Sequence, residues 1–152
     1  MRDKISVNKY IRYVFIDTDY LVIGSGLAGQ RAALILAEYG RVIMVTKRRQ
    51  GDNATSWAQG GIASVTDATD SFAKHIDDTL KAGAGLCNEK AVESIIEAGP
   101  DAIKELSELG VVFDRHDKKF DLNREGGHSA RRILHVKDAT GQELDRALKQ
   151  RV

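Results

Sequence analysis

Three short stretches of this chain carry residue types whose spacing suits chemistry. The first is Gly24-Ser25-Gly26-Leu27-Ala28-Gly29, a G-x-G-x-x-G turn. In such a turn Gly24 lets the chain leave a strand sharply, Gly26 lets the backbone approach a pyrophosphate, and Gly29 lets the next helix pack close to the strand. The helix start then offers N–H groups and the positive end of its dipole to phosphate. A glycine turn without a ligand is the alternative. The second stretch is Thr46-Lys47, where a nicotinamide-dinucleotide site usually carries an acid for the ribose hydroxyls. That acid is absent, which points away from an NAD-dependent dehydrogenase. Lys47 is left either to meet a cofactor phosphate or adenosine, or to be simply solvated. The third is Arg124-Glu125-Gly126-Gly127-His128, a second glycine-rich segment in which, on the residues alone, Glu125 reads as a solvated loop glutamate.

These stretches need a frame. Tyr20-Leu21-Val22-Ile23 is an apolar run that predicts a strand buried on both faces of a parallel sheet. Ala32, Ala33, Leu36 and Ala37 recur at helical spacing, predicting a helix from Gly29 to Tyr39 closed by Gly40 as a C′ residue. Arg41 to Val45 predicts the second strand, which completes a βαβ unit and an α/β fold class. A polar, glycine-rich loop follows from Gln50 to Ser64, long enough to be a functional candidate. Helices are predicted from Asp70 or Ser71 to about Ala82, from Glu89 to Ala98, and from Pro100 to Leu109 with Gly110 closing the last. Val111-Val112-Phe113 reads as a short strand, and Arg131 to Val136 as a basic, apolar run. Tyr10 to Ile16 reads as an added edge strand. Gln142 to Val152 reads as an amphipathic helix with no closing glycine, which predicts a chain that ends inside a larger protein.

With 152 residues, 42% hydrophobic and 30% charged, the chain has the composition of one globular domain. A net charge of +1 and no basic stripe argue against a nucleic-acid partner. Lys47-Arg48-Arg49 is the one dense basic cluster, serving either a dinucleotide or an exposed loop. No run approaches the ~20 apolar residues of a membrane span, and no signal peptide is evident. The single cysteine, Cys87, fits a reducing cytoplasm and reads as a structural residue. His75, His116 and His135 read as structural, His128 is open, and no spacing suggests a metal site.

Taken in order, Asp19 to Gly29, Thr46-Lys47 and Ala58-Gln59-Gly60-Gly61-Ile62-Ala63 resemble the fumarate reductase and succinate dehydrogenase flavoprotein superfamily. Arg124 to His135, followed by Asp138-Ala139-Thr140-Gly141, narrows the resemblance to the L-aspartate oxidases within it. The resemblance implies a Rossmann-like FAD-binding domain with a helical segment and the start of a capping domain. Its boundaries would be an N-terminal extension at 1–17, a partial FAD-binding domain at 18–125, and the opening of a substrate-capping region at 126–152. It implies that Gly24, Ser25, Gly26, Leu27, Ala28 and Gly29 hold the FAD pyrophosphate and that Lys47 contacts the cofactor. Ala54, Thr55, Ser56, Trp57, Ala58, Gln59, Gly60 and Gly61 would wrap the flavin. The position that carries a covalent flavin histidine in membrane succinate dehydrogenases is Ala54 here, so non-covalent FAD is expected. The Asn53-to-Trp57 stretch departs from the family pattern of Ser or Thr followed by an aromatic.

Glu125 stands where dicarboxylate reductases carry an apolar aromatic, so the resemblance implies that it pairs with a substrate ammonium group. The implied reaction is oxidation of L-aspartate to iminoaspartate, with hydride passing to the flavin and then to oxygen or fumarate. It opens NAD biosynthesis, with quinolinate synthase as the next enzyme and partner. The catalytic arginine base and the remaining substrate and FAD contacts would lie beyond Val152, leaving the piece inactive alone. A soluble fumarate reductase or succinate dehydrogenase flavoprotein, and a non-catalytic remnant, are the alternatives.

Overall fold

The computed structural model describes residues 15–49 and 51–151. β1 (Tyr20–Ile23), α1 (Leu27–Leu36) and β2 (Val42–Val45) make the expected βαβ unit, with parallel register from Tyr20 opposite Val42 to Ile23 opposite Val45. The expectation of burial on both faces is corrected. Val22 is buried, but Leu21 and Ile23 are 58% and 81% exposed. The cause is alternation: α1 packs on one face only, and among the described residues β1 pairs with β2 alone.

The α1 boundaries also shift. The helix starts at Leu27 and stops at Leu36, because the chain then tightens through Glu38 N–H to Ile35 O and Tyr39 N–H to Leu36 O. Gly40 is not a left-handed cap. Its hydrogen atoms make room for Asp19, whose Oδ2 lies 2.8 Å from where a Cβ would stand. The edge strand expected at Tyr10 to Ile16 lies outside the described residues except Phe15 and Ile16, which are irregular.

β3 (Ile62–Ala63) leads to three helices: α2 (Phe72–Ala82), α3 (Glu89–Glu97) and α4 (Gly99–Glu108). Ser71 Oγ accepts from Lys74 N–H and caps α2, Asn88 Oδ1 accepts from Ala91 N–H and caps α3, and Pro100 sits in the first turn of α4. Gly110, at φ +100°, closes α4.

β4 (Arg115–His116) and β5 (Lys119–Phe120) form a hairpin whose two loop residues, Asp117 and Lys118, both have positive φ, as a type I′ turn demands. β6 (Leu122–Asn123) and β7 (Ile133–Leu134) complete an antiparallel sheet of order β3-β7-β6.

The strand expected at Val111 to Phe113 is not one. Val111 and Phe113 are buried and Val112 is exposed, but Val111 N–H donates to Leu106 O and Val112 N–H to Glu143 Oε1 rather than into a ladder. The closing helix, α5 (Thr140–Lys149), begins two residues before the expected Gln142, and Val152 lies outside the described residues. Leu144 and Ala147 of α5 share the core with Ile103, Val111, Phe113 and Leu134. α5 also packs on α1, so the C-terminal stretch and the glycine turn belong to one body.

Candidate functional site

A cavity of about 1080 Å³ opens at the C-terminal ends of β1 and β2. Small-molecule sites run to roughly 300–1,000 Å³, so it is roomy. Ile23, Gly24, Ser25 and Gly26 form one wall, Val45 to Arg48 a second, and Asp52, Asn53, Ala54, Trp57 and Ala58 the third. Gly24 and Gly29 take the backbone roles that their spacing predicts. Gly24 has φ +110°, and a Cβ on Gly29 would stand 2.0 Å from Gly24 O, so any side chain there would force α1 off the turn.

The loop that closes the cavity is tied to the turn by named bonds. Gly26, the N-cap of α1, has no side chain to cap with, and Thr55 Oγ1 accepts from Leu27 N–H at 2.9 Å instead. Asn53 Oδ1 accepts from Ser56 N–H, while its amide nitrogen donates to Ser25 O at 3.1 Å and to Asp145 Oδ1 at 3.2 Å. Gln30, fully buried, donates to the same two oxygens. Ser25 Oγ donates to Thr46 Oγ1 at 3.1 Å, which fixes the end of β2 against the turn. Burial pushes the Asp145 carboxyl up, but Lys149, Gln30 and Asn53 outweigh it and hold it below the ordinary range.

Of the residues expected to face a cofactor, Gly24, Ser25, Gly26, Lys47, Ala54, Trp57 and Ala58 line this cavity. Leu27, Ala28, Gly29, Thr55, Ser56, Gln59, Gly60 and Gly61 do not. Thr55 and Ser56 spend their hydroxyls on the helix start and the loop backbone. Gln59 and Ser56 line a second cavity of about 650 Å³ beside α5. Arg48, from the basic cluster open to either a dinucleotide or solvent, also lines it, and Asp52 and Asn53 were missed; a polar loop beside the glycine turn was the available signal.

Glu125 stands at the far end of the loop. Its Oε1 lies 3.2 Å from where a Cβ on Gly60 would be, so the carboxylate occupies the space that this glycine leaves. It opens a turn, Glu125 to His128, closed by His128 N–H to Glu125 O at 3.3 Å, with Gly127 at φ +83° in the third position as a type II turn requires.

Behind that turn lies a buried ion cluster that local sequence pattern does not reveal. Arg132 is fully buried. Its Nε and Nη2 donate to the two oxygens of Asp70 at 2.7 and 2.8 Å, and its Nη1 donates to Asp78 Oδ2 at 2.7 Å. Asp78 Oδ2 also accepts the Ser129 N–H and hydroxyl, each at 2.8 Å. Burial pushes the Asp78 carboxyl up, yet the Ser129 and Arg132 bonds overcome it and hold it at about 2. Burial pushes the His75 imidazole below its ordinary value, with the Arg132 charge adding to it. Among the described residues, no three His, Cys, Asp or Glu side chains come together in a group that could hold a metal ion.

Among the described residues no helix is long and apolar enough to cross a membrane. Residues 19–152 match the family described as FAD binding domain. The chain is 50% identical over 137 residues to L-aspartate oxidase 1 of Ralstonia nicotianae, covering 88% of this chain and 26% of that protein. It is 48% identical over 136 residues to L-aspartate oxidase of Yersinia pestis, covering 86% and 26%. Among solved structures, the Sdh1 complex of Mycobacterium smegmatis in its apo form matches with TM-score 0.81 and 38% identity over 88% of this chain and 23% of that one. An E. coli quinol fumarate reductase matches with TM-score 0.83 and 29% identity over 88% and 24%. The chain thus spans about a quarter of the length of the curated relatives it matches.

Proposed function

The chain belongs to the family of FAD binding domains, and we propose that it forms the flavin-holding part of an enzyme that oxidises L-aspartate to iminoaspartate. The matched L-aspartate oxidases support the reaction class. The observation that carries the substrate reading is the Glu125 carboxylate seated beside Gly60, at the end of the loop that closes the cavity. The residues fit the cofactor: a glycine turn with a helix start for a pyrophosphate, a basic pair at Lys47 and Arg48, and a roomy cavity between them.

When bound, FAD takes up the two electrons that leave the substrate as a hydride. The chain's own residues do the rest. Gly24 to Gly29 cradle the phosphates, Lys47 balances their charge, and the loop from Ala54 to Gly61 lies along the cofactor. Ala54 offers no nucleophile, so the cofactor is held without a covalent bond. Glu125 draws in the substrate's ammonium group and turns its Cα toward the ring. Residues 126–152 lead on toward the capping region of the whole protein. Oxygen or fumarate would serve as the final electron acceptor, quinolinate synthase would take the product for NAD biosynthesis, and the compartment would be the cytoplasm.

The similarity to the quinol fumarate reductase supports a second reading, a dicarboxylate reductase or dehydrogenase flavoprotein. Mixing the full-length, FAD-loaded protein anaerobically with L-aspartate or with succinate separates the two. Bleaching of the flavin by L-aspartate, with succinate inert, supports the oxidase; bleaching by succinate alone overturns it.

A further inference from the structure

The Glu125 turn stands on a loop of nine residues, 124–132, between β6 and β7. Its base is closed by Arg132 N–H to Asn123 O at 3.1 Å, and Ser64 N–H donates to Arg132 O at 2.9 Å. Its tip is closed only by the bond between His128 and Glu125. Between base and tip, Arg131 Nη1 donates to Leu122 O of β6 at 3.0 Å and the His128 ring lies 5.6 Å from that of His75 on α2, while the charged ties to α2 and its cap run through one cluster. Asp78 of α2 takes both donors of Ser129, and Arg132 takes Asp78, Asp70 and, at 3.3 Å, the ring nitrogen Nδ1 of His128. An arginine has only donors, so His128 accepts here, one residue beyond the glycine pair.

Arg132 has no exposed surface and cannot touch a substrate. The cluster is more elaborate than closing a loop requires. A buried ion pair seldom adds net stability over an apolar packing of the same volume, and where one is kept, fixing a unique geometry is an attested use. The geometry fixed here is where the Glu125 carboxylate stands relative to Gly60.

We propose that Arg132, gripped by Asp70 and Asp78, is a positioning residue that sets substrate specificity: it holds the Glu125–His128 turn so that the Glu125 carboxylate is presented over Gly60 to a ligand's ammonium group. The inference rests on the reading of Glu125 given above. A carboxylate a few tenths of an ångström off would lose the short, charge-assisted bond to an ammonium and leave the binding of an amine-free dicarboxylate as it was. The planar fork of Arg132 meets Asp70 with two bonds and Asp78 with a third, a fixed geometry that a lysine's compact ammonium does not reproduce.

The test uses the full-length, FAD-loaded protein and three variants, Arg132→Lys, Asp78→Asn and Glu125→Gln, with the double variant Arg132→Lys/Glu125→Gln. The readouts are KM and kcat for L-aspartate, Kd for succinate from the perturbed flavin spectrum, and Kd for FAD. Arg132→Lys is expected to raise KM for L-aspartate about tenfold, the worth of one hydrogen bond to a charged group. The succinate and FAD constants and kcat should hold within about twofold. Glu125→Gln should raise KM for L-aspartate at least as far, with the succinate and FAD constants held and kcat free to fall, and adding Arg132→Lys to it should change KM by less than about twofold, because the two act on one contact.

If Arg132→Lys moves the aspartate and succinate constants together, or multiplies the Glu125→Gln effect, the positioning role is overturned. If Glu125→Gln leaves KM for L-aspartate unchanged, the ammonium reading itself falls. Should Arg132→Lys fail to fold, Asp78→Asn and Ser129→Ala carry the same prediction through the other end of the tie. Loss of folding or of FAD in all three would make the cluster a folding device only and overturn the proposal.

Discussion

The two ends of the site are held by the same device built in opposite proportions. At the cofactor end a buried carboxylate, Asp145, is served by the amides of Gln30 and Asn53 and by Lys149 one turn along its own helix. At the Glu125 end a buried cation, Arg132, is served by two carboxylates. The first network holds backbone: it fixes Ser25 O and the loop against the glycine turn, so its product is the wall of a cavity. The second fixes a turn that carries one functional side chain. A wall made of glycine and backbone N–H groups suits a large cofactor met at many points, whereas a single projecting carboxylate suits one small group met at one point. The difference predicts that damage at the cofactor end shows as weakened FAD binding, and damage at the other end as altered substrate choice or lost stability.

The largest expected effect is at the Glu125 end. Arg132→Met leaves the buried carboxylates of Asp70 and Asp78 without their counter-charge, which costs about 3–5 kcal/mol; urea unfolding of the full-length protein measures it, and a loss below about 1 kcal/mol would show that the cluster is not held as described. Asp78 gives a pH signature of the same cluster. Its folded-state pKa, about 2, lies below the ordinary 3.8, so the stability it contributes is present above the ordinary value and is lost as pH falls through about 2. That acid limb is worth about 2 kcal/mol and should vanish in Asp78→Asn.

At the cofactor end, Gly29→Ala drives a methyl into Gly24 O and should cost about 1–3 kcal/mol together with FAD affinity, read by flavin titration. Thr55→Ala removes the cap that α1 borrows from the loop and should cost about 1 kcal/mol, with FAD affinity falling modestly and succinate binding unchanged. If Thr55→Ala shifted substrate choice instead, the two ends would not be separable.

What the sequence made legible follows the same division. The βαβ unit, a cap at Ser71, and the turn at Gly24 and helix end at Gly110 depend on local pattern, and they stand as read, whereas the cap at Asn88 was not read. Gly40 and the Val111 to Phe113 run were misread because local pattern cannot show what lies across from a residue. Asp19 fills the space beside Gly40, and no strand among the described residues partners the Val111 run. The Arg132 cluster joins residues 62 and 54 positions apart, and the Asp145–Gln30 bond joins residues 115 apart. No spacing rule reaches that far, and Asp70 beside Ser71 looked only like a second candidate cap. Glu125 was found through resemblance, and its place beside Gly60 was visible only in three dimensions.

The central claim is that the Glu125 carboxylate reads the substrate's ammonium group, and the most direct measurement is the selectivity of Glu125→Gln in the full-length, FAD-loaded protein. KM for L-aspartate divided by Kd for succinate should rise about tenfold or more while FAD affinity holds. A ratio that stays at the wild-type value, with both constants unmoved or moved together, would contradict the account.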